Sequence, residues 1–538
     1  MPDKELTDAA SKTPDPERSL RNLLAFCELN PQYVERLKPD IRSAAVLFSY
    51  SQFLANFCMT NPSVLFDSIQ KLRLPVVRED VSPGLDDEIG RASGKQDLLR
   101  TVRNFKKKVL LLITMRDVLG IADLAETMRE LSLLADIIAE KSLAIVRAQM
   151  RETYGDPEDD AFSVISVGKL GGQELNFSSD IDLLYVYVAE EGETSGITAT
   201  GGIAKNRISN HEYYCKLGES LNRFLSMNTE DGFVYRVDLR LRPQGQKGSL
   251  AMSLQAYETY YESWGRAWER AVLLRARPIA GDPALGKSFM EMIRPFVYRK
   301  YLDFGAVDEI RRMKTRIDDV FRKDDIKRGY GGIREIEFFA HAHQLIYGGR
   351  EPLLRERDLM LVLHRLLQKN LIGHEDYSAL SDNYSFLRTL EHRLQQLDDL
   401  QTHSLPSDEK EVRALSRKMG FADKQAFYSE LEGRRRVVRQ IYDSLFAEKK
   451  NGVHRIETSP FFAEEISDSE LKGMLGDYPV REKEKAVRNI RLIKDSTYTF
   501  QTLRARRLLG EILPEFLTEA LTSRDPDSAV NNLQAFPP

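Results

Sequence analysis

The sequence predicts an α+β protein that is mostly helix, and three observations carry this. Residues 19–155, and nearly everything after about 305, place apolar residues at helical spacing. Between these stretches, short β-rich runs alternate with helical ones, which marks a compact mixed unit near residues 158–300. A content of 42% hydrophobic and 30% charged residues fits a soluble globular chain with much surface helix.

A length of 538 residues exceeds one ordinary domain. The expected division is a disordered tail at 1–18, a helical region at 19–157, a catalytic α/β unit at 158–304, a helical bundle at 305–450 and a helical linker region at 451–538. The tail is polar, charged and Pro-containing, and it lacks the apolar stretch of a signal peptide. Helices are expected over Ile41–Cys58, Gln96–Leu119 and Ile121–Tyr154, with Gly120 as the stop between the last two. The run KKKVLLLITMRDVLG reads as a buried helix flanked by charge. Strands are expected at Phe162–Val167, Ile181–Val188, Phe233–Leu241 and Leu273–Ile279, with helices at Asn210–Met227 and Leu254–Ala267. Glu190–Asn206, rich in Gly, Thr and Ser, reads as an exposed loop. Further helices follow at Ala306–Arg322, Gly332–Tyr347, Leu359–Gln368, Asp376–Gln396, Asp423–Lys449 and within Glu464–Ala529, with a break at Asn451-Gly452.

Charge and cysteine content exclude several functions. Lys plus Arg (78) nearly balances Asp plus Glu (82), which leaves no basic excess for general nucleic-acid binding. Arg434-Arg435-Arg436 reads as one solvated helix face. Three scattered cysteines, Cys27, Cys58 and Cys215, form no C-x-x-C pair, which points to a reducing, cytoplasmic setting without disulfides or a zinc site. No run approaches the roughly 20 apolar residues of a membrane span.

The chemistry gathers in VGKLGGQELNFSSDIDLLYVY, residues 167–187. An apolar run enters a turn with Gly168, Gly171 and Gly172, then Ser178 and Ser179 precede Asp180 and Asp182 at the head of a second apolar run. Residues i and i+2 of a strand face one side roughly 6.5–7 Å apart. Asp180 and Asp182 therefore converge on one cation, and Mg²⁺ takes carboxylate and phosphate oxygens. The Gly/Ser turn lets backbone N–H groups approach an anion. An Asp pair capping a strand turn is the plain alternative. Neither the G-x-x-x-x-G-K-[ST] loop nor the G-x-G-x-x-G pattern is present.

A two-metal site wants a third carboxylate, and Asp238 in FVYRVDLRLRPQGQKGS is the candidate. Strand alternation places Val234, Arg236, Asp238, Arg240 and Arg242 on one face. Arginines beside an acid suit phosphate, though a structural Asp–Arg network on a solvated face has the same pattern. A second dense cluster, DIKRGYGGIREIEFFAHAHQL, holds Lys327, Arg328, Gly331, Gly332, Arg334, Glu335 and Glu337. It reads either as a glycine turn feeding an anion-friendly helix start or as a capped, ion-paired helix. His341 and His343 diverge on their helix and make a poor metal pair; Trp264 and Trp268 read as core or interface residues.

Four strings in fixed order, GKLGGQELNFSSDIDLLYVY, VYRVDLRLRPQGQKGSLAMS, YYESWGRAWERAVLLRARPIAGD and DIKRGYGGIREIEFFAHAHQL, resemble the glutamine synthetase adenylyltransferase/adenylyl-removing enzyme family over roughly residues 95–450. The resemblance implies a DNA-polymerase-β-like nucleotidyltransferase domain, flanked by helical domains and followed by a helical bundle. Family members carry two catalytic halves in tandem, one attaching AMP to a tyrosine of glutamine synthetase and one removing it. NFSSDIDL and GGIREIEF are similar to the N-terminal, adenylyl-removing half; the attaching half reads more like GSDLDL and GGITDIEF. The motif occurs once, so the chain is expected to be a shortened piece or a separately encoded half with one active site. By resemblance, Asp180, Asp182 and Asp238 are the catalytic acids holding two Mg²⁺, and Gly171, Gly172 and Ser179 line the phosphate turn. Arg240, Arg242 or Lys327 would bind the attacking phosphate. The implied reaction is phosphorolysis of adenylylated glutamine synthetase to ADP. The alternatives are adenylylation from ATP, or a docking module for glutamine synthetase or the PII signal protein.

Overall fold

The computed structural model describes residues 3–198, 204–300, 304–319, 322, 324–445, 467–478, 480–497, 517, 519–521, 523 and 525–532. The chain forms two compact units, Met1–Phe446 and Ala447–Pro538. The first begins with helices α1 (Asp3–Ser11), α2 (Pro16–Leu29), α3 (Val34–Leu37), α4 (Ile41–Tyr50), α5 (Gln52–Thr60), α6 (Pro62–Lys71), α7 (Arg78–Arg91), α8 (Lys95–Val118) and α9 (Leu124–Tyr154). The mixed region holds β1 (Phe162–Val167), α10 (Gly168–Gly171), β2 (Ile181–Tyr187), the small hairpin β3 (Ile197–Thr198) and β4 (Ala204–Lys205), and α11 (Asn210–Ser226). It continues through β5 (Val237–Asp238), β6 (Ala251–Ser253), α12 (Leu254–Ser263), α13 (Ala267–Leu273), β7 (Arg277–Gly281) and α14 (Pro283–Val297). Helices α15 (Phe304–Asp319), α16 (Ile333–Tyr347), α17 (Leu359–Gln368), α18 (His374–Gln395), α19 (Glu409–Lys418) and α20 (Lys424–Ser444) complete the unit.

The sheet has strand order β5-β2-β1-β7, with β6 also pairing with β2. Strand β1 is antiparallel to β2 and β7, whereas β5 and β6 run parallel to β2. Alternation along β2 sends Ile181, Leu183, Tyr185 and Tyr187 into a core shared with α8, α9 and α11. Leu184 and Val186 face the other way, into a core built with α12, α13 and α14. Asp182 belongs to this second face, at the end of the strand where the covering stops. A third core joins α1, α2, α4, α5 and α6, and a fourth packs α16, α17, α18, α19 and α20 together. Helix starts are capped by local side chains: Asp123, Ser209, Ser253, Asp358 and Asp423 each accept from a backbone N–H of the first turn.

Several sequence readings change. The tail expected at 1–18 is ordered from Asp3, because Leu6, Ala9 and Ala10 form one apolar face that buries against α2 and α4. The single helix expected over Ile41–Cys58 breaks at Ser51, whose hydroxyl caps α5. The expected strand Phe233–Leu241 shrinks to Val237–Asp238, since the chain turns away at Arg240. The run Leu273–Ile279 divides: Leu273 ends α13, and strand β7 starts only at Arg277. Within the basic triplet on α20, Arg435 is buried and donates to the Tyr330 carbonyl at 2.8 Å. The expected break at Asn451-Gly452 lies outside the described residues.

The second unit contains helices α21 (Asp468–Met474), α22 (Lys483–Thr497) and α23 (Pro526–Asn532), and Leu471, Leu475, Ile490, Leu517 and Leu521 build its core. Among the described residues, no helix is long and apolar enough to cross a membrane. All three cysteines are free.

Candidate active site

Strand β1 ends at Val167, and the backbone enters α10 through Gly168 with φ +61. A Cβ there would lie 2.3 Å from Asp182 Oδ2, so only glycine fits both the conformation and the contact. Val167 pairs with Asp182 across β1 and β2, and Asp182 pairs with Asp238 across β2 and β5. Three acids thereby meet: Asp180 just before β2, Asp182 within it and Asp238 from its parallel neighbour β5.

Their charges are balanced unequally. Asp180 Oδ1 accepts from Arg236 Nε at 2.7 Å. Asp238 is gripped by Arg240, whose Nε lies 3.0 Å from both carboxylate oxygens and whose backbone N–H donates to Oδ1 at 2.8 Å. Burial opposes the charge on Asp238, but Arg240 outweighs it and holds the carboxyl below the usual range. Asp182 has no hydrogen-bond partner among the described residues. Burial first, then the facing Asp238 and Asp180, push it up to about 7 against the pull of Lys327 and Arg240.

Lys327 therefore belongs to the site, although it lies 145 residues after Asp182 in sequence. Its ammonium makes no hydrogen bond or ion pair among the described residues. Arg240 also reaches the acids. Arg242 helps lower Asp238 by its charge but makes no hydrogen bond to the acids among the described residues: its guanidinium donates to the carbonyls of Leu239 (2.7 Å), Gly248 (3.1 Å) and Gln246 (3.2 Å) and so staples the 239–248 loop. Ser179 is half-buried beside Asp180. Gly171 and Gly172 have a packing role, since a Cβ would meet the Arg275 carbonyl at 2.0 Å or the Arg357 carbonyl at 3.2 Å. Of the Gly331-Gly332 readings, the capped helix fits the geometry: Glu335 accepts from Gly331 N–H at 3.0 Å and pairs with Arg439 at 2.8 Å.

The serine turn is held from outside the sheet. Ser178 N–H donates to Gln395 Oε1 at 3.0 Å, its hydroxyl donates to the Asp399 carbonyl at 2.8 Å, and Arg388 donates to Asn176 Oδ1 at 2.6 Å. Lys169 Nζ reaches both oxygens of Glu391 on α18, at 2.8 and 2.9 Å. Reading the sequence finds Gly168 in the turn but overlooks Lys169 and Glu391 as parts of this site. Neither carries a local signal, since the two lie 222 positions apart.

Hard carboxylate oxygens, an acid whose side chain has no hydrogen-bond partner among the described residues and backbone kept close by a glycine fit a divalent cation. Among the described residues the acids are not closed into a three-donor cage, since arginines occupy two of them. The mixed sheet, the glycine turn and the acids on adjacent strands define a nucleotidyltransferase domain.

Comparison with known proteins narrows this class. Residues 41–292 match the family described as glutamate-ammonia ligase adenylyltransferase, and residues 306–446 match the one described as GlnD PII-uridylyltransferase. The chain is 37% identical over 496 residues to a bifunctional glutamine synthetase adenylyltransferase/adenylyl-removing enzyme of Nitrosococcus oceani, covering 89% of this chain and 50% of that protein. A protein of the same description from Hahella chejuensis is 34% identical over 532 residues, covering 95% of this chain and 54% of its own length. The chain thus spans about half the length of these curated relatives. It belongs to the glutamine synthetase adenylyltransferase/adenylyl-removing enzyme family.

Proposed function

We propose that this chain removes AMP from the adenylylated tyrosine of glutamine synthetase, with inorganic phosphate accepting the AMP to give ADP. The observation that carries the reading is Asp182, an acid without a partner, set beside two others next to an unpaired lysine. Asp180, Asp182 and Asp238 would hold one or two Mg²⁺, which supply charge neutralisation at the phosphate oxygens. Arg236 and Arg240 orient the outer two acids, and Gly168 keeps the turn against the central one. Lys327 and the exposed Arg240 guanidinium attract the phosphate. A phosphate oxygen forms a bond to the α-phosphorus, the bond to the tyrosine oxygen breaks, and its electron pair leaves with the phenolate. With a parent pKa of about 10, that leaving group needs charge stabilisation more than a strong acid. The NFSSDIDL and GGIREIEF wording favours removal over attachment. Three free cysteines without a C-x-x-C pair support a reducing, cytoplasmic setting for this reaction.

The test is ADP release from adenylylated glutamine synthetase with Mg²⁺ and phosphate. Asp182→Asn and Asp238→Asn should each lower it by at least about a hundredfold, with circular dichroism unchanged. Mutants as active as the parent chain would defeat the reading. The relatives' names cover both directions, so transfer of labelled AMP from ATP to glutamine synthetase is the second reading. The match of residues 306–446 to a PII-uridylyltransferase favours a third, a docking surface for PII. PII binding that survives loss of both acids, with no turnover by the chain, selects it.

A further inference from the structure

The sequence contains two tryptophans, and both line one cleft of about 700 Å³, together with Tyr260, Arg240, Lys247 and Arg266. Trp264 is 72% exposed. An indole this open contributes little to folding and presents a flat apolar face to solvent, so of the core and interface readings only the second fits Trp264. Among the described residues three cations and no carboxylate line the cleft. Lys247 and Arg266 form no ion pair among the described residues. Arg240 links the cleft to the acids, because its guanidinium holds Asp238.

The walls are fixed before any ligand arrives. Arg242 staples the 239–248 loop through three carbonyls. Gln244 and Gly245 both adopt φ +59, and a Cβ on Gly248 would meet the Pro243 carbonyl at 2.1 Å. The Tyr260 hydroxyl accepts from Gln244 N–H at 3.4 Å and donates to Glu269 at 2.9 Å, joining the loop to α12 and α13. Aromatic faces beside unpaired cations match a ligand with a flat ring at one end and phosphate at the other.

We propose that this cleft seats a purine nucleotide, the tryptophans stacking on the base and Arg240, Lys247 and Arg266 drawing its phosphates toward the acids. The proposal rests on the AMP-transfer reading above and adds the place where the nucleotide is recognised. Because both tryptophans sit in the cleft, the chain's intrinsic tryptophan fluorescence reports on it alone. The full chain is titrated without Mg²⁺ with AMP and ADP, and with ribose 5-phosphate and inorganic phosphate as probes lacking the base. Saturable quenching by AMP and ADP, absent with the base-free probes, is expected. Trp264→Ala should weaken that binding roughly tenfold and raise KM for adenylylated glutamine synthetase similarly, with kcat unchanged. Turnover without any nucleotide-induced change, or an unchanged KM in Trp264→Ala, overturns the cleft while leaving the AMP-transfer reading intact. Quenching without turnover does the reverse. A fluorescence change caused equally by unmodified glutamine synthetase, and not by nucleotides, assigns the cleft to a protein segment and overturns the proposal.

Discussion

The turn after β1 carries buried charge at both ends, and the two ends are built in opposite ways. At one end Lys169 meets Glu391 at 2.8 Å, Glu391 also meets Arg388 at 3.1 Å and His403 at 3.0 Å, and Arg275 bridges Glu174 (3.0 Å) and Glu337 (3.3 Å). Burial opposes the charge on Glu391, but Lys169 and its other partners hold that carboxyl well below the usual range. At the other end Asp182 has two like charges for neighbours and, among the described residues, no hydrogen-bond donor to its carboxylate. Charge that folding has paired is architecture; charge that folding leaves uncompensated needs a ligand. The paired end ties the turn to the helical bundle, and the other end holds the acids of the proposed site.

Breaking the paired end should cost most. Glu391→Gln leaves Lys169 without its counter-charge in the interior, and the loss should be about 3–5 kcal/mol, read from urea denaturation. A cost below about 1 kcal/mol would mean that the network is not what fixes the turn. The opposite sign is expected at the other end. Burial and like charge raise Asp182 to about 7, whereas the unfolded carboxyl titrates near about 4. The metal-free protein therefore loses stability as pH rises from about 4 to about 7. Asp182→Asn removes that penalty and should stabilise the metal-free chain at pH of about 8 by on the order of 2 kcal/mol, even as it abolishes turnover. A destabilised Asp182→Asn would contradict the contrast.

The smallest effect is one of acid. His392 is fully buried on α18, edge-on to Phe177 of the serine turn at 5.0 Å, and among the described residues neither ring nitrogen has a hydrogen-bond partner. Burial, weakly opposed by Asp117, lowers it to about 3. The unfolded histidine takes a proton below about 6.5 and the folded one does not, so stability falls as pH falls through that value. Between pH of about 7 and about 5.5 the share from His392 is about 1 kcal/mol. His392→Asn should flatten the pH dependence of the urea midpoint by that amount. An unaltered slope would show that this histidine titrates in the folded state.

The sequence makes the two ends unequally legible. Asp180, Asp182 and Asp238 sit where strand alternation puts two acids on one face, and a β-rich run held the third. β1 and most helices are read correctly because their apolar periods are long and bounded by caps or glycines. The paired end leaves no trace, since Lys169 and Glu391 lie 222 positions apart and each looks like a surface charge within its own segment. The same reasoning misses Arg435, whose partner is a distant carbonyl. Arg242 is misread because pattern alone assumes the strand continues past Asp238, where the chain in fact turns and needs a staple. Leu273–Leu274 shows the ambiguity of short apolar runs, which suit a helix end as well as a strand.

The most direct test of the central claim follows the phosphate. Adenylylated glutamine synthetase is incubated with the chain, Mg²⁺ and isotopically labelled inorganic phosphate, and the nucleotide product is analysed. Phosphorolysis at the three acids predicts ADP carrying the label in its β-phosphate, formed in step with the loss of AMP from tyrosine and absent with Asp182→Asn. Release of unlabelled AMP at the same rate without phosphate would contradict it.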